Sequence, residues 1–256
     1  MTEHKQSTLE EIIESERQLA LTAEARYGNF YLHARECSIF LSRCILEVNH
    51  DRLMFARFFS LMKKHHMLAL LSTVRLHKVQ AMMNLRQVLE SGAAAAFAIA
   101  KPELEHFAET DPQGMLDPSQ DLTKKRYQWL DKNYADGSLA IKKKKELINQ
   151  QSSHANVVSS EKIFDVSEAG DAVSAPFFDI EDEHHVRIDL WQISSIAIEI
   201  MDLLYGVNRD LNVIRFIPNF ATYIGHVAKI NDALLAEMKS TDRYKRAVEK
   251  MGSGHE

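Results

Sequence analysis

Apolar residues recur every three or four positions along most of this chain, the spacing of helices that bury one face. The clearest stretch is 181–207, where Leu190, Ile193, Ala197, Ile200, Met201 and Leu204 form one stripe and Gly206 and Asn208 lie near the end. A second stripe, Tyr223, Val227, Ile230, Leu234 and Met238, follows Pro218. Toward the N-terminus, 8–26 is charged and amphipathic, with Leu9, Ile12, Ile13 and Leu19 on one side. Gly28 breaks that pattern, and 30–48 resumes it through Phe40, Leu41, Cys44 and Ile45. Asn49-His50-Asp51 reads as a turn and a helix cap. Residues 52–91 contain neither Gly nor Pro and carry Leu61, Leu68, Leu71, Val79, Met82 and Leu89 on an apolar side. One very long helix, or two joined by a kink, is expected there.

The middle of the chain is patterned more weakly. Pro102 suits a first helical turn. Pro112, Gly114 and Pro118 mark 109–121 as a loop. Helices are expected over 127–134 and 139–151, with Asp136-Gly137-Ser138 ending one and capping the next. In 162–179, Ile163-Phe164-Asp165-Val166 and Ala175-Pro176-Phe177-Phe178 flank Glu168-Ala169-Gly170-Asp171. That suits a small hairpin insertion, with Pro176 confined to an edge. No internal repeat is present. The pattern predicts an all-α bundle of six to eight helices. It divides into an N-terminal helical region (1–50), a helical core (51–217), and a C-terminal helix with a frayed tail (218–256).

Composition narrows the function. With 256 residues and 45% hydrophobic content, the chain can build one large core. Its formal net charge of -5 provides no global field for nucleic acid or anionic lipid, so a polyanion needs a local basic patch. The only cysteines, Cys37 and Cys44, stand seven apart in a helical pattern, about 10 Å along the axis. A disulfide needs Cα atoms within about 7 Å, so none is expected, and a reducing compartment fits. Residues 1–5 lead into acidic sequence, not an apolar signal region. The longest apolar island, 92–100, is far shorter than the ~20 residues of a membrane span. A cytoplasmic protein without a membrane segment is expected.

Two polar spots interrupt this apolar sequence. Arg86 and Glu90, at i,i+4 spacing, sit among Val79, Met83, Ala94 and Phe97, with Met82, Leu89 and Ala93 as close neighbours, which suggests partial burial, and the apolar residues on the same face argue that removing Glu90 costs as much as breaking a buried pair. A structural pair that fixes helix register is the plainer account; a phosphate-binding arginine steadied by the glutamate is the functional one. Ser153-His154-Ala155-Asn156 is the second spot. Ser and Asn can orient a histidine for acid–base work, or all three can cap a helix end. The lysine run Lys142, Lys143, Lys144 and Lys145 leads toward His154 and can steer phosphates to it, although charge runs are usually solvated faces. Tyr127 and Trp129 can stack bases or fill the core. Lys239, Arg243, Lys245, Arg246 and Lys250 form a second basic zone.

Asn84-Leu85-Arg86-Gln87-Val88-Leu89-Glu90-Ser91, followed by the alanine-rich turn and later by Ser153-His154-Ala155-Asn156, resembles the HEPN-like helical proteins. The bacterial branch with an Arg-x-x-x-Glu helix and a Ser-His element is the most similar. The resemblance covers about residues 50–215. It implies an α-helical, often dimeric domain. It also implies either a metal-independent RNase of toxin or phage-defence type, or a non-catalytic nucleotide-binding or scaffold domain. The catalytic pattern of that family, an Arg followed by a His a few residues on, is matched by Arg26 and His33. Tyr27 and Gly28 depart from it, and the match lies outside the resembling region.

A dimetal carboxylate bundle is a different reading. Glu103-x-x-His106 and Glu181-x-x-His184 are i,i+3 ligand pairs, to which Glu90 and Glu199 would be added. Both units sit at helix starts, where the helix dipole alone favours acids. His185 and Asp189 are equally well read as solvated. The expectation is therefore a cofactor-free, metal-free protein with a nucleotide- or RNA-directed role. His154, Arg86 and Glu90 are its candidate catalytic residues, Lys142–Lys145 its phosphate contacts, and a homodimer its assembly. The alternatives are a non-catalytic interaction module and the dimetal bundle.

Overall fold

The computed structural model describes residues 7–117, 119–152, 165–166, 173–174 and 176–252. Nine helices occur among them: α1 (Leu9–Leu21), α2 (Ala23–Arg43), α3 (Leu53–Val74), α4 (Lys78–Ala100), α5 (Gln120–Asn133), α6 (Ala135–Ser152), α7 (Glu183–Leu211), α8 (Phe220–Ser240) and α9 (Asp242–Gly252). Six short strands pair as three antiparallel ribbons: β1 (Ile45–Val48) with β6 (Ile214–Phe216), β2 (Glu109–Thr110) with β3 (Leu116–Asp117), and β4 (Asp165–Val166) with β5 (Val173–Ser174). The architecture is the expected all-α bundle, with the hairpin insertion present as β4–β5. Ser153-His154-Ala155-Asn156 and the last residues of the tail lie outside the described residues.

α7 is the axis. It packs against α2, α3, α4, α6 and α8, and its stripe from Leu190 to Leu204 is buried. It is long and apolar enough to cross a membrane, but 72% of its apolar stretch is buried inside the bundle, which accounts for that apolar character. Close approach requires small residues on the neighbours. A Cβ on Gly92 of α4 would lie 2.7 Å from Ile200 Cδ1, and one on Gly137 of α6 would lie 3.0 Å from Leu203 Cδ1. The alanines that follow Gly92 are likewise buried. One core cluster takes side chains from Ala23 through Met238, so all three regions read from the sequence contribute to it.

Tertiary pairing overrides the local pattern at several boundaries. The helical spacing of 30–48 stops at Arg43, because Ile45–Val48 bonds to Ile214–Phe216 and ties the α2–α3 link to the α7–α8 link. Asn208 supports that corner. Its side-chain amide donates to Ile214 O at 2.8 Å, and its oxygen accepts from the backbone N–H groups of Val213 and Ile214. Gly28 breaks helical geometry as expected, with φ 53° and ψ −129°, a conformation that favours glycine. Asp136-Gly137-Ser138 lies in the first turn of α6 and is not a break; the close contact with Leu203 accounts for the glycine.

The stretch without Gly or Pro is two helices. They turn at Leu76, whose φ of 61° is costly for a branched residue. Three contacts hold it: Leu76 is buried, its carbonyl accepts from Asp179 N–H at 2.9 Å, and Asp179 Oδ2 accepts the Lys78 N–H at the start of α4 at 2.5 Å. The chain thus receives a distant cap where its own sequence has no turn residue.

His66 is a polar group with both ring nitrogens matched inside the core. It is 1% exposed. Its Nε2–H donates to Ile193 O at 3.1 Å, and its Nδ1 lies 3.0 Å from Ser38 Oγ, so one imidazole joins α2, α3 and α7. Burial lowers its pKa to about 4. The unfolded chain therefore takes up a proton that the folded one refuses. Stability is complete above about pH 6.5 and falls as pH drops toward 4. Urea unfolding should show a loss of about 2 kcal/mol between pH 7 and pH 5, and His66→Gln should flatten that slope. Equal slopes in both proteins would remove His66 from this role.

Candidate functional site

α4, α5 and α6 meet around a cleft of about 160 Å³, lined by Glu90, Ala93, Ala94, Thr123, Arg126, Tyr127, Leu130 and Lys145. Its geometry follows from helical spacing. Glu90 stands one turn after Arg86 on α4, at the edge of the alanine face that meets α6. On α5, Thr123, Arg126, Tyr127 and Leu130 fall at i, i+3, i+4 and i+7, so Arg126 shares the face of the buried Leu130. Lys145 is carried in by the face of α6 that buries Ile141 and Ile148.

Glu90 Oε1 is the hub. It accepts from Arg86 Nε at 3.2 Å and lies 3.0 Å from Lys145 Nζ. Lys145 Nζ also donates to Tyr127 OH at 3.1 Å and sits over the Tyr127 ring. Arg86 Nη1 donates to Asn149 Oδ1 at 2.8 Å, which ties α4 to the last turns of α6. Burial raises the Glu90 carboxyl, but Lys145 and then Arg86 outweigh it and hold it below its ordinary value. Burial likewise lowers Lys145, while Tyr127 and Glu90 outweigh it and raise it. Both groups are charged at neutral pH, so the pair is an ion pair and not a proton-exchanging couple.

Arg126 differs from the other cations. It donates to Thr123 Oγ1 at 2.9 Å and to His106 O at 3.5 Å, and it lies over Phe107. No carboxylate within ion-pairing distance of it occurs among the described residues. Burial pulls its pKa down. Arg126 and Lys145 line the cleft against one carboxylate, Glu90, which also accepts from Arg86, so the lining carries a local excess of one positive charge in a chain of net charge -5.

The four consecutive lysines do not form a patch. Adjacent residues are about 100° apart around a helix, so a run of four points in four directions. Lys142 pairs with Asp131 of α5 at 2.6 Å. Lys144 pairs with Glu199 of α7 at 3.1 Å and donates to Ser195 Oγ. Lys145 reaches Glu90 of α4, and Lys143 faces solvent. Arg86 and Glu90 are joined, but the pair is not sealed in the core: their side chains are 37% and 35% exposed. Val79 and Met83, apolar neighbours of the pair in sequence, are exposed on the outer face of α4 and do not cover it. His154 lies outside the described residues.

The other candidates fall elsewhere. Arg26 donates to Val74 O and Glu181, whereas His33 is buried beside Cys37. Glu103 pairs locally with His106, and Glu181 accepts from Tyr27 OH at 2.7 Å. Among the described residues no three His, Cys, Asp or Glu side chains gather to hold a metal. Cys37 and Cys44 are free and buried. A larger groove of about 480 Å³ between α6 and α7 is lined by Asp136, Glu199 and Asp202, the wrong charge for phosphate. Arg126, Thr123 and Asn149 were not singled out from sequence. The shared face of Arg126 with Leu130 was the available signal.

Comparison of the chain with protein-family models, curated proteins and solved structures finds no match. The cleft therefore rests on its own chemistry.

Half-exposure sets the worth of the Glu90 hub. Exposed ion pairs contribute at most ~1 kcal/mol, and breaking a buried pair costs roughly 3–5 kcal/mol. Glu90→Ala should cost about 1–2 kcal/mol in urea unfolding, above one surface pair because two cations lose their acceptor. A loss above ~3 kcal/mol would mean the hub is screened from solvent far more than its exposure indicates.

Proposed function

We propose that this chain is a helical, nucleotide- or RNA-directed protein that holds phosphate in the α4–α5–α6 cleft. The observation that carries the reading is the excess of cations there: Arg126 has a desolvated guanidinium without an acidic partner, beside Lys145 and Arg86, which share one carboxylate. A desolvated guanidinium is suited to planar anion recognition, and Tyr127 offers a ring at the same opening. Lys143 is the member of the lysine run placed to contact solvent-borne phosphates.

Catalysis enters this proposal through His154. His154 lies outside the described residues, and its role rests on the sequence pattern Ser153-His154-Ala155-Asn156. The HEPN-like resemblance supports a metal-independent RNase and a homodimer, and the free cysteines Cys37 and Cys44 support a reducing, cytoplasmic setting; these belong to the same proposal. The second reading is an interaction module without a ligand. It is favoured by Lys142, Lys144 and Lys145, whose charges are all engaged within the bundle.

The test is binding of single-stranded RNA and of a nucleoside triphosphate at several salt concentrations. Arg126→Gln and Lys145→Gln should each weaken binding about tenfold, and each should reduce the salt slope for RNA by about 0.7, one phosphate contact on a single strand. Unchanged affinity in both variants would favour the module. RNA cleavage without added metal, lost in a folded His154→Ala protein, would make it an RNase; equal cleavage by both proteins would leave the cleft a binding site only.

A further inference from the structure

A second site lies at the opposite end of α4, where its first turn meets the start of α7. A cavity of about 50 Å³ is enclosed by Thr73, Lys78, Asp179, Asp182, Val186 and Asp189, with Leu76 beneath and Ile180 and His185 at the rim. Its floor is buried: Thr73 is 4% exposed and Asp189 is 5% exposed. Ile180 and His185 are open to solvent, so the cavity has a mouth.

The polar groups here are arranged deliberately. Lys78 Nζ donates to Asp189 Oδ1 at 2.9 Å, and the Lys78 backbone N–H donates to Asp179. Asp182 caps α7 by accepting from the His184 and His185 N–H groups, and Arg243 of α9 donates to both of its oxygens. Three carboxylates line the cavity against one lysine; counting Arg243 as well, the balance is still one negative charge.

Thr73 supplies the independent observation. A threonine inside a helix usually bonds its hydroxyl back to the carbonyl one turn earlier. Thr73 Oγ1 does not: it is buried and has no hydrogen-bond partner. A buried hydroxyl left unpaired is costly, on the order of 1–3 kcal/mol, unless something in the cavity completes it.

We propose that this cavity binds a primary alkylammonium group. The ammonium's three N–H donors meet the carboxylate oxygens and the Thr73 hydroxyl. Leu76, Ile180 and Val186 provide an apolar wall for the first carbons of its stem. The volume admits the head and a short length of chain, not a whole metabolite. A metal ion is the poorer occupant, since no three acidic or histidine side chains converge on one point among the described residues. The same chemistry is presented by a free diamine and by a lysine side chain of another protein.

The test is amide NMR titration of the whole chain at fixed ionic strength with 1,4-diaminobutane, with acetyl-lysine-amide, and with tetramethylammonium as a cation that cannot donate hydrogen bonds. The expected result is saturable shifts at the Thr73, Leu76 and Val186 amides with either amine and none with tetramethylammonium. The tighter amine identifies the source. Thr73→Val keeps the shape and removes the hydroxyl, so it should weaken binding about tenfold without lowering the melting temperature of the free protein. Asp189→Asn should weaken it further, although that variant also strands Lys78. Absence of saturable shifts, equal shifts with tetramethylammonium, or unchanged affinity in Thr73→Val would each overturn the proposal and leave the cavity to water.

Discussion

Burying most of α7 is the constraint from which the rest follows. A helix of 29 residues that must be enclosed needs neighbours on each face, and five other helices supply them. That enclosure explains why α4 carries Gly92 and a run of buried alanines, and why α6 tolerates a glycine in its first turn. Small residues let backbones approach, and the bulk then comes from Ile200 and Leu203 on the axis itself. Packing at this density leaves little slack, so large and small positions are matched across facing helices.

An enclosed axis also creates a specificity problem, because apolar helices slide and rotate with little penalty. Polar groups inside this core restrict that freedom. His66 accepts one arrangement of α2, α3 and α7, and Asn208 accepts one path for the chain after α7. The short segment before α7 does the same from outside. Within a few residues Asp179 caps α4, Glu181 bonds Tyr27 and Arg26, and Asp182 caps α7 and receives Arg243. A loop that touches α2, α4, α7 and α9 adds polar tethers to the apolar packing between them.

The sequence was most legible where one helix face alone decides the structure. The stripes through Ile193 and Leu234 and the break at Gly28 were readable for that reason; the hairpin was readable only as to its segment, its second strand being Val173–Ser174 and not the run from Ala175 to Phe178. Legibility failed where the deciding partner was distant. Nothing local announces that Ile45–Val48 will pair with Ile214–Phe216, or that Leu76 will turn under a cap from Asp179. For the site, the i,i+4 spacing of Arg86 and Glu90 was enough to pair them. It could not say which flank of α4 faces solvent, since Val79 and Met83 are as apolar as the residues that are buried. Arg126 was hidden in a basic run whose other members are exposed, and only its phase relative to Leu130 distinguishes it.

The lysine run of α6 has a consequence for how this helix tolerates change. Because neighbouring positions point about a quarter-turn apart, the run works as an angular key: one lysine for α5, one for α7, one for α4 and one for water. Exchanging any of them for arginine leaves the key almost intact. Inserting or deleting a single residue upstream rotates the helix by one step and presents every charge to the wrong neighbour at once. A substitution in α6 therefore alters one contact at a time, whereas a change in the length of the link before it alters all of them together.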